Sequence, residues 1–208
     1  MISKTNEWEV SFFHFLGKIL FGFILIGLFQ DCGGPRVLVR DPLYQKKINF
    51  SKRLVVVSNP ENQLTKMEQS TLSEITRELV NHHKEFIVYP LPQKFSGSCN
   101  RDFPKVEGIL LITLRQNQEK NKLKLNATAS LLQCPESREL WRVFGQNEYD
   151  LNEKENESLK NTYIQKFGLG IGNRVNPYYK MISDLIHTLD SPILSAEEID
   201  EKIEVGSN

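Results

Sequence analysis

The sequence predicts an α+β fold, with a mixed sheet of about five strands and helices packed on one face. Three short apolar runs, Leu54–Ser58, Phe86–Tyr89 and Val106–Leu114, are bounded by charged or turn-forming residues, as buried strands typically are. A segment with helical periodicity separates the first two runs, and a strand–helix–strand unit of this length makes a right-handed crossover. Polar turns separate the strands that follow, which predicts an antiparallel meander after the βαβ unit.

The N-terminal part of the chain has an apolar run that ends at a cysteine. The run Ile19–Phe29 follows Lys18 and leads to Cys32, after which come Gly33, Gly34 and Pro35. A transmembrane helix needs about 20 apolar residues, whereas the apolar region of a signal peptide has about 7–15. The pattern therefore favours a signal peptide. An uncleaved signal anchor remains the alternative, because a run counted from residue 12 to residue 29 approaches spanning length.

The residues before Cys32 resemble a lipobox, the motif at which a lipid is attached and the signal is cut. Phe29 stands where the motif has a branched apolar residue, and Gln30 stands where it has a small one. Asp31 departs from the motif, although relaxed versions occur in spirochaete-type lipoproteins. The resemblance implies a protein exported to the cell envelope and anchored by lipid on Cys32. We expect the outer membrane, with the protein facing the periplasm.

The chain divides into four predicted stretches. These are a signal peptide at 1–31, a lipidated N-terminus and tether at 32–53, an α/β globular domain at 54–194, and an acidic C-terminal helix or tail at 195–208. Within the tether we expect a short strand near Lys47–Phe50. The 26 basic and 26 acidic residues of the chain balance, which argues against a nucleic-acid partner, because such proteins usually have a basic face and a high pI.

The other two cysteines are Cys99 and Cys134. If lipid occupies Cys32, they remain as a possible disulfide pair in an oxidising compartment. A hairpin turn near Glu119 and Lys120 would place position 134 beside position 105, within reach of Cys99 on its loop. Two unrelated thiols are the alternative, because a disulfide needs Cα atoms about 4.4–6.8 Å apart.

Capping residues and apolar stripes predict the helices. Asn59 is a candidate cap with Pro60 in the first turn of a helix that reaches about residues 81–83, and Asn176 and Pro177 are the same signal for a later one. Ser195 and Glu198 have the spacing of a capping box in the acidic terminal segment. Leu159–Phe167 is a further predicted helix.

The meander is predicted from alternation. Leu123–Leu132 alternates apolar and polar residues, and Leu140–Tyr149 is the next strand. We expect Trp141 in the core, with a partner contact as the alternative. The polar face of the first of these strands is a candidate binding surface or an ordinary solvated face, and it consists of Lys124, Asn126, Thr128 and Ser130.

No motif in the sequence points to catalysis. Gly168, Gly170 and Gly172 lack the spacing of a phosphate-binding loop, so a turn is the better interpretation. His82 and His83 are adjacent, and neighbours on a helix point about 100° apart, so they do not readily share a metal. We expect no catalytic residues, no metal site and no cofactor.

The order of these elements resembles a group of exported domains. The strand VVVS, the helix, the strand EGILLITL and the later SRELWR (Ser137–Arg142) are similar to the N-terminal α/β domain of the translocation protein TolB and to CsgG-like lipoproteins of curli secretion. The closing stretch Asn176–Ser195 resembles the end of spirochaete-type lipoproteins of unknown function. Over about Leu54–Leu194, the resemblance implies an envelope domain that assembles with protein partners, and it implies no catalytic residues.

The sequence therefore predicts a non-enzymatic envelope lipoprotein that binds another envelope protein or forms a homo-oligomer. A small-ligand or lipid carrier with a groove between sheet and helices is the alternative.

Overall fold

Alternating apolar residues and apolar helical stripes give the chain its strands and helices. The structure, a computed structural model, describes residues 34–59, 63–90, 105–153 and 156–206. Within these residues the strands are β1 (Arg36–Arg40), β2 (Arg53–Ser58), β3 (Ile87–Tyr89), β4 (Gly108–Glu119), β5 (Lys122–Gln133) and β6 (Arg138–Asp150). The helices are α1 (Tyr44–Lys47), α2 (Lys66–His83), α3 (Glu157–Phe167), α4 (Gly172–His187) and α5 (Ala196–Gly206), with 3₁₀ turns at Ile48–Phe50 and Leu169–Ile171.

The strands form one mixed sheet in the order β1-β6-β5-β4-β2-β3. Strand β2 runs parallel to β3 and β4, and β4, β5 and β6 form an antiparallel meander. The predicted α+β class, with its βαβ unit and meander, is confirmed. The sheet has one strand more than expected, because β1 adds to β6 at the edge of the meander.

The stretch predicted as a tether contributes to the fold. Strand β1 pairs antiparallel with β6, with a bulge between Val37 and Val39. The strand predicted near Lys47–Phe50 is wrong, since α1 and a 3₁₀ turn lie there. The reason is the spacing of Tyr44 and Ile48, which lie four residues apart and are both buried in the core.

Helix α2 begins later than the sequence predicts. Its N-cap is Thr65, which forms a capping box with Glu68. Asn59 instead extends β2, because its backbone N–H donates to the carbonyl of Ile112 at 2.8 Å. Glu68, which interrupts the apolar stripe in the sequence, is explained by this capping role.

Helix α4 begins earlier than the sequence predicts. It starts at Gly172, directly after the 3₁₀ turn, and Pro177 lies inside it rather than in its first turn. Proline has no N–H, so the carbonyl of Asn173 lacks its usual helical donor. Gly172 lets the first turn of α4 pack closely against Ile164 of α3. A Cβ at position 172 would lie only 3.0 Å from Cδ1 of Ile164.

The core lies between one face of the sheet and helices α2, α3 and α4. Leu72 and Ile75 of α2 and Ile182 and Leu185 of α4 are buried there. The alternation predicted for β5 is confirmed, and so is the burial of Trp141. The core-facing residues of β5 are Leu123, Leu125, Ala127, Ala129 and Leu131.

The opposite face of the sheet has a smaller buried cluster of Val55, Val57, Val106 and Ile109. In the described part of the chain, no helix is long and apolar enough to cross a membrane.

Candidate interaction surfaces

Two of the three cysteines lie outside the described residues. Cys32 and Cys99 are not among them, so the lipid attachment and the disulfide stay predictions. Cys134 follows β5, and its N–H donates to the carbonyl of Glu107 at 2.9 Å. In the β4–β5 ladder, Gly108 pairs with Gln133, so Cys134 lies beside position 107. The sequence predicted position 105, which is two residues away.

The histidine pair and the glycine-rich segment singled out in the sequence lie on different elements of the structure. His82 and His83 are exposed in the last turn of α2, whereas Gly168 and Gly170 lie in the connection between α3 and α4. Gly168 has a φ of 97°, a left-handed conformation that favours glycine. Among residues 34–59, 63–90, 105–153 and 156–206, no group of three His, Cys, Asp or Glu residues has an arrangement that could hold a metal ion.

The polar face of β5 is less open than its sequence suggests. Lys124 is exposed, Asn126 and Thr128 are half-buried, and Ser130 is buried. The Nζ of Lys124 lies 3.4 Å from Oε1 of Glu119. This face is therefore a partly covered row rather than a broad polar surface.

The edge at β1 presents apolar and basic side chains to solvent. Leu38 is 57% exposed and Leu43, shortly after the strand, is 56% exposed. Arg36, Arg40 and Lys46 are exposed on the same stretch of chain. We call these five residues the β1 surface.

A buried carboxylate holds the chain after β1 in place. Asp41 Oδ2 lies 2.9 Å from Lys47 Nζ and 2.8 Å from Arg138 Nη2, and Oδ1 accepts a hydrogen bond from the N–H of Leu43. The hydrogen bond from Lys47, followed by that from Leu43, lowers the pKa of Asp41 below its ordinary value. The carboxylate stays charged at neutral pH and fixes the position of Leu43.

Arg40 connects β1 to the end of α4. Its guanidinium lies 5.0 Å from the centroid of the Tyr44 ring and 3.3 Å from a carboxylate oxygen of Asp190. It also donates to the carbonyl of Thr188. These contacts order the basic edge, although surface ion pairs of this kind contribute little to stability.

Helix α5 packs against β3 at the opposite edge of the sheet, through a charged inner face. Arg53 Nη2 lies 2.6 Å from Oε2 of Glu201, and Lys52 Nζ lies 2.6 Å from Oε2 of Glu198. The hydroxyl of Tyr89 donates to Glu201. The hydrogen bond from Arg53 lowers the pKa of Glu201, and burial followed by the bond to Glu201 raises the pKa of Tyr89 to about 12.

The capping box predicted at Ser195 and Glu198 is present at the start of α5. The N–H of Ser195 donates to Oε2 of Glu198 at 2.8 Å, and the N–H of Glu198 donates to Oγ of Ser195 at 3.4 Å. Glu198 therefore serves both the cap and the ion pair with Lys52. The acidic terminal segment is a docked helix in this structure.

The outer face of α5 combines an apolar ridge with acidic side chains. Ile199 is 46% exposed and Ile203, one turn later, is 63% exposed. Glu197, Asp200 and Glu204 are exposed beside them. We call these five residues the α5 surface.

A groove of about 570 Å³ lies between α2 and α5. Its lining combines charged groups from Arg77, Glu78, Glu85 and Lys202 with Ile199 and Ile203, so the α5 surface borders this groove. A carrier of lipids or other apolar ligands needs a mostly apolar pocket. This groove does not have that lining.

Sequence reasoning missed both surfaces. Residues 36–53 contain six basic residues and one acidic residue, and residues 196–206 contain five acidic residues and one basic residue. This charge asymmetry was the available signal. It could not show that β1 and α5 lie at opposite edges of one sheet.

No protein-family profile matches the sequence, and no curated protein matches it. Among solved structures, the chain is similar to the PelC dodecamer from Paraburkholderia phytofirmans, with 11% identity and a TM-score of 0.48 over 76% of this chain and 100% of that one. It is also similar to a minor lipoprotein from Acinetobacter baumannii, with 10% identity and a TM-score of 0.28 over 76% and 92% of the two chains.

A hypothetical protein from Chlamydia trachomatis is a third neighbour, with 7% identity and a TM-score of 0.39 over 65% of this chain and 95% of that one. The resemblance to TolB-like, CsgG-like and spirochaete-type proteins stays a prediction.

Proposed function

We propose that this protein is an envelope lipoprotein, anchored by lipid on Cys32, that acts by binding or assembly rather than by catalysis. The observation that carries the proposal is the exposed apolar side chains at both edges of the sheet, Leu38 and Leu43 at one and Ile199 and Ile203 at the other. Such residues, rimmed by charged groups, are typical of protein–protein contacts.

The anchor supports this function. Only three residues separate Cys32 from Arg36, the first residue of β1. At about 3.3–3.6 Å per residue, the four steps from Cys32 to Arg36 span at most about 14 Å. A lipid on Cys32 would hold the domain close to the bilayer and concentrate its copies in one plane, which favours association. We place the protein at the outer membrane, facing the periplasm.

The partner is a second envelope protein or further copies of this chain. The carrier alternative is less favoured, because the groove between α2 and α5 has charged groups in its lining. The uncleaved anchor alternative changes the attachment and leaves the exported domain the same.

Two measurements test the proposal. Mass spectrometry of the mature N-terminus should find a lipid-modified Cys32, and an intact Met1 leader with unmodified Cys32 would establish the signal anchor instead. Native extraction in mild detergent should recover the chain in a stoichiometric complex, with Cys32→Ala as the control for anchoring. Recovery of the wild-type chain alone, at monomer mass, contradicts the assembly function.

A further inference from the structure

Resting on the proposed function, we infer that copies of this chain associate head to tail, with the β1 surface of one copy on the α5 surface of the next. The occupant of each surface is a second copy of this chain. The argument depends on the position, the charge and the apolar content of the two surfaces.

The two surfaces are built on opposite edges of the sheet. Strand β1 ends the sheet on one side, and β3, with α5 packed against it, ends the other. Six strands at about 4.8 Å spacing separate the two outermost strands by about 24 Å. One copy therefore cannot bring its own two surfaces together, whereas two copies can.

The exposed charges of the two surfaces are opposite. Arg36, Arg40 and Lys46 are the exposed basic residues of the β1 surface. The α5 surface presents three exposed acidic residues. Opposite potentials across an interface favour encounter, set the register and disfavour wrong partners.

The inner carboxylates of α5 are already used within the chain. Glu198 and Glu201 form ion pairs with Lys52 and Arg53. Glu197, Asp200 and Glu204 are exposed on the same helix, so the solvent side of α5 has a negative potential. That arrangement suits a basic partner.

Each surface also has apolar residues at its centre. Leu38 and Leu43 lie among the basic groups, and Ile199 and Ile203 form a ridge among the acidic ones. Burying apolar area provides the non-directional part of association, and the surrounding charges provide specificity. Each surface thus combines apolar residues with surrounding charges, as interfaces between proteins do.

Symmetric pairing of two β1 strands is disfavoured. An antiparallel pair centred on Leu38 would place Arg36 opposite Arg40 of the second copy at both ends. Like charges directly opposite each other destabilise a strand pair. A head-to-tail contact avoids this repulsion, and repeated contacts of that kind generate a ring or an open chain.

The test uses the full chain, expressed with its own leader and extracted natively, with one altered surface in each variant. The β1 variant is Leu38→Glu/Lys46→Glu and the α5 variant is Ile199→Lys/Asp200→Lys. The matched control is Leu169→Glu/Lys66→Glu, since Leu169 is 84% exposed and Lys66 is exposed, and both lie outside the two surfaces. Thermal unfolding of each variant within about 3 °C of wild type establishes that it is folded.

We expect wild type and control to form assemblies of several copies, measured as particle mass. In each surface variant, the fraction of chains in assemblies should fall at least tenfold. Co-expression of the two variants with different tags should restore a contact, because each retains one intact surface, and the product should be a 1:1 dimer with no larger species.

Three results with the variants overturn the inference: variants that assemble like wild type, a co-expressed pair that stays monomeric, or an α5 variant that still assembles fully while the β1 variant does not. A wild-type monomer also overturns it. If that monomer carries a stoichiometric envelope protein, the proposed binding function stands and only self-association fails; if it is alone, both fail.

Discussion

Arg53 and Glu201 lie 148 residues apart in the chain and form a two-point ion pair in the structure. The guanidinium Nη2 is 2.6 Å from Oε2 of Glu201, and its Nε is 3.1 Å from Oε1. Both side chains are mostly buried, so the pair is screened less than a pair in water. This contact makes α5 part of the folded domain and fixes the direction of its outer face.

Replacing Glu201 by Gln should loosen α5. The change keeps the shape and removes the charge, so Arg53 loses its closest partner and Tyr89 loses its acceptor carboxylate. We expect a loss of about 1–2 kcal/mol in the free energy of unfolding, typical of a hydrogen-bonded charge pair. Urea unfolding of the mature protein measures it.

The matched control for that change is Asp200→Asn, which neutralises an exposed acid on the preceding residue of the same helix. We expect a change within about 0.5 kcal/mol, because exposed substitutions away from a buried contact have small effects. Equal losses in the two variants would show that the Arg53 pair does not hold α5.

The stability of the domain should fall with acid through the same contacts. The pKa of Glu198 is lowered mainly by the hydrogen bond from Lys52, and that of Glu201 mainly by the one from Arg53. Because folding lowers these pKa values, the two glutamates bind protons at a higher pH in the unfolded chain than in the folded one. Their contribution to the free energy of unfolding is therefore complete above the ordinary pKa of 4.5. It is lost as the pH falls through the folded-state pKa values.

Urea midpoints between pH 7 and pH 3 measure this effect. In Glu198→Gln/Glu201→Gln, we expect a lower stability at pH 7 and a weaker decline with acid, because the two groups no longer titrate. Glu74, whose pKa is lowered to about 2 mainly by Arg77, contributes to the remaining decline. Parallel pH curves for wild type and the double variant would contradict the assignment.

Local pattern predicted the strands well and the contacts between distant segments poorly. Strand β5 was predictable because alternation alone sets which residues face the core. Strand β1 was not, because Arg36–Arg40 has charged ends and its partner β6 follows about a hundred residues later. The pairing of Lys52 and Arg53 with α5 had no local signal either.

Helix starts show the same limit. Asn59 and Pro60 have the residue types of a cap and a first turn, yet Asn59 bonds to Ile112 in the neighbouring strand. A tertiary hydrogen bond outweighed the local preference, and the helix began at the next good cap, Thr65. The two interaction surfaces depend on the order of the strands, which composition does not fix.

Thr65→Ala should destabilise the protein through the start of α2. The Oγ1 of Thr65 accepts a hydrogen bond from the N–H of Glu68, and Glu68 Oε2 accepts one from the N–H of Thr65. Removing such a cap costs about 1 kcal/mol. Thr162→Ala is the control, since Thr162 is exposed within α3, and there we expect no loss because alanine favours a helix.

The predicted disulfide has a direct test. If Cys99 and Cys134 are bonded, the denatured and unreduced mature protein should show no reactive thiol, and reduction should expose two. Linking the ends of a 36-residue loop should stabilise the fold by about 3–4 kcal/mol, so Cys134→Ser should unfold at clearly lower urea. Two thiols that react before reduction would exclude the bond.

Gly108→Ala should strain the centre of the sheet. A Cβ at this position would lie 2.8 Å from Cδ2 of Leu54 and 3.1 Å from the carbonyl oxygen of Leu132. Leu132 belongs to the neighbouring strand, so its carbonyl moves only if the ladder between β4 and β5 shifts. Overpacking of this kind costs about 1–3 kcal/mol, measured as the change in the free energy of unfolding.

Gly170→Ala is the matched control for this change, because its Cβ would meet only the Met67 side chain, at ordinary distances of 3.6 Å from Sδ and 4.0 Å from Cε. We expect its free energy of unfolding to stay within about 0.5 kcal/mol of wild type. If both alanines were tolerated equally, the close approach of β4 to Leu54 and Leu132 would be wrong. A loss of stability confined to Gly108→Ala would show that β4 lies between β2 and β5. That position belongs to the strand order that places β1 and α5 at opposite edges of the sheet.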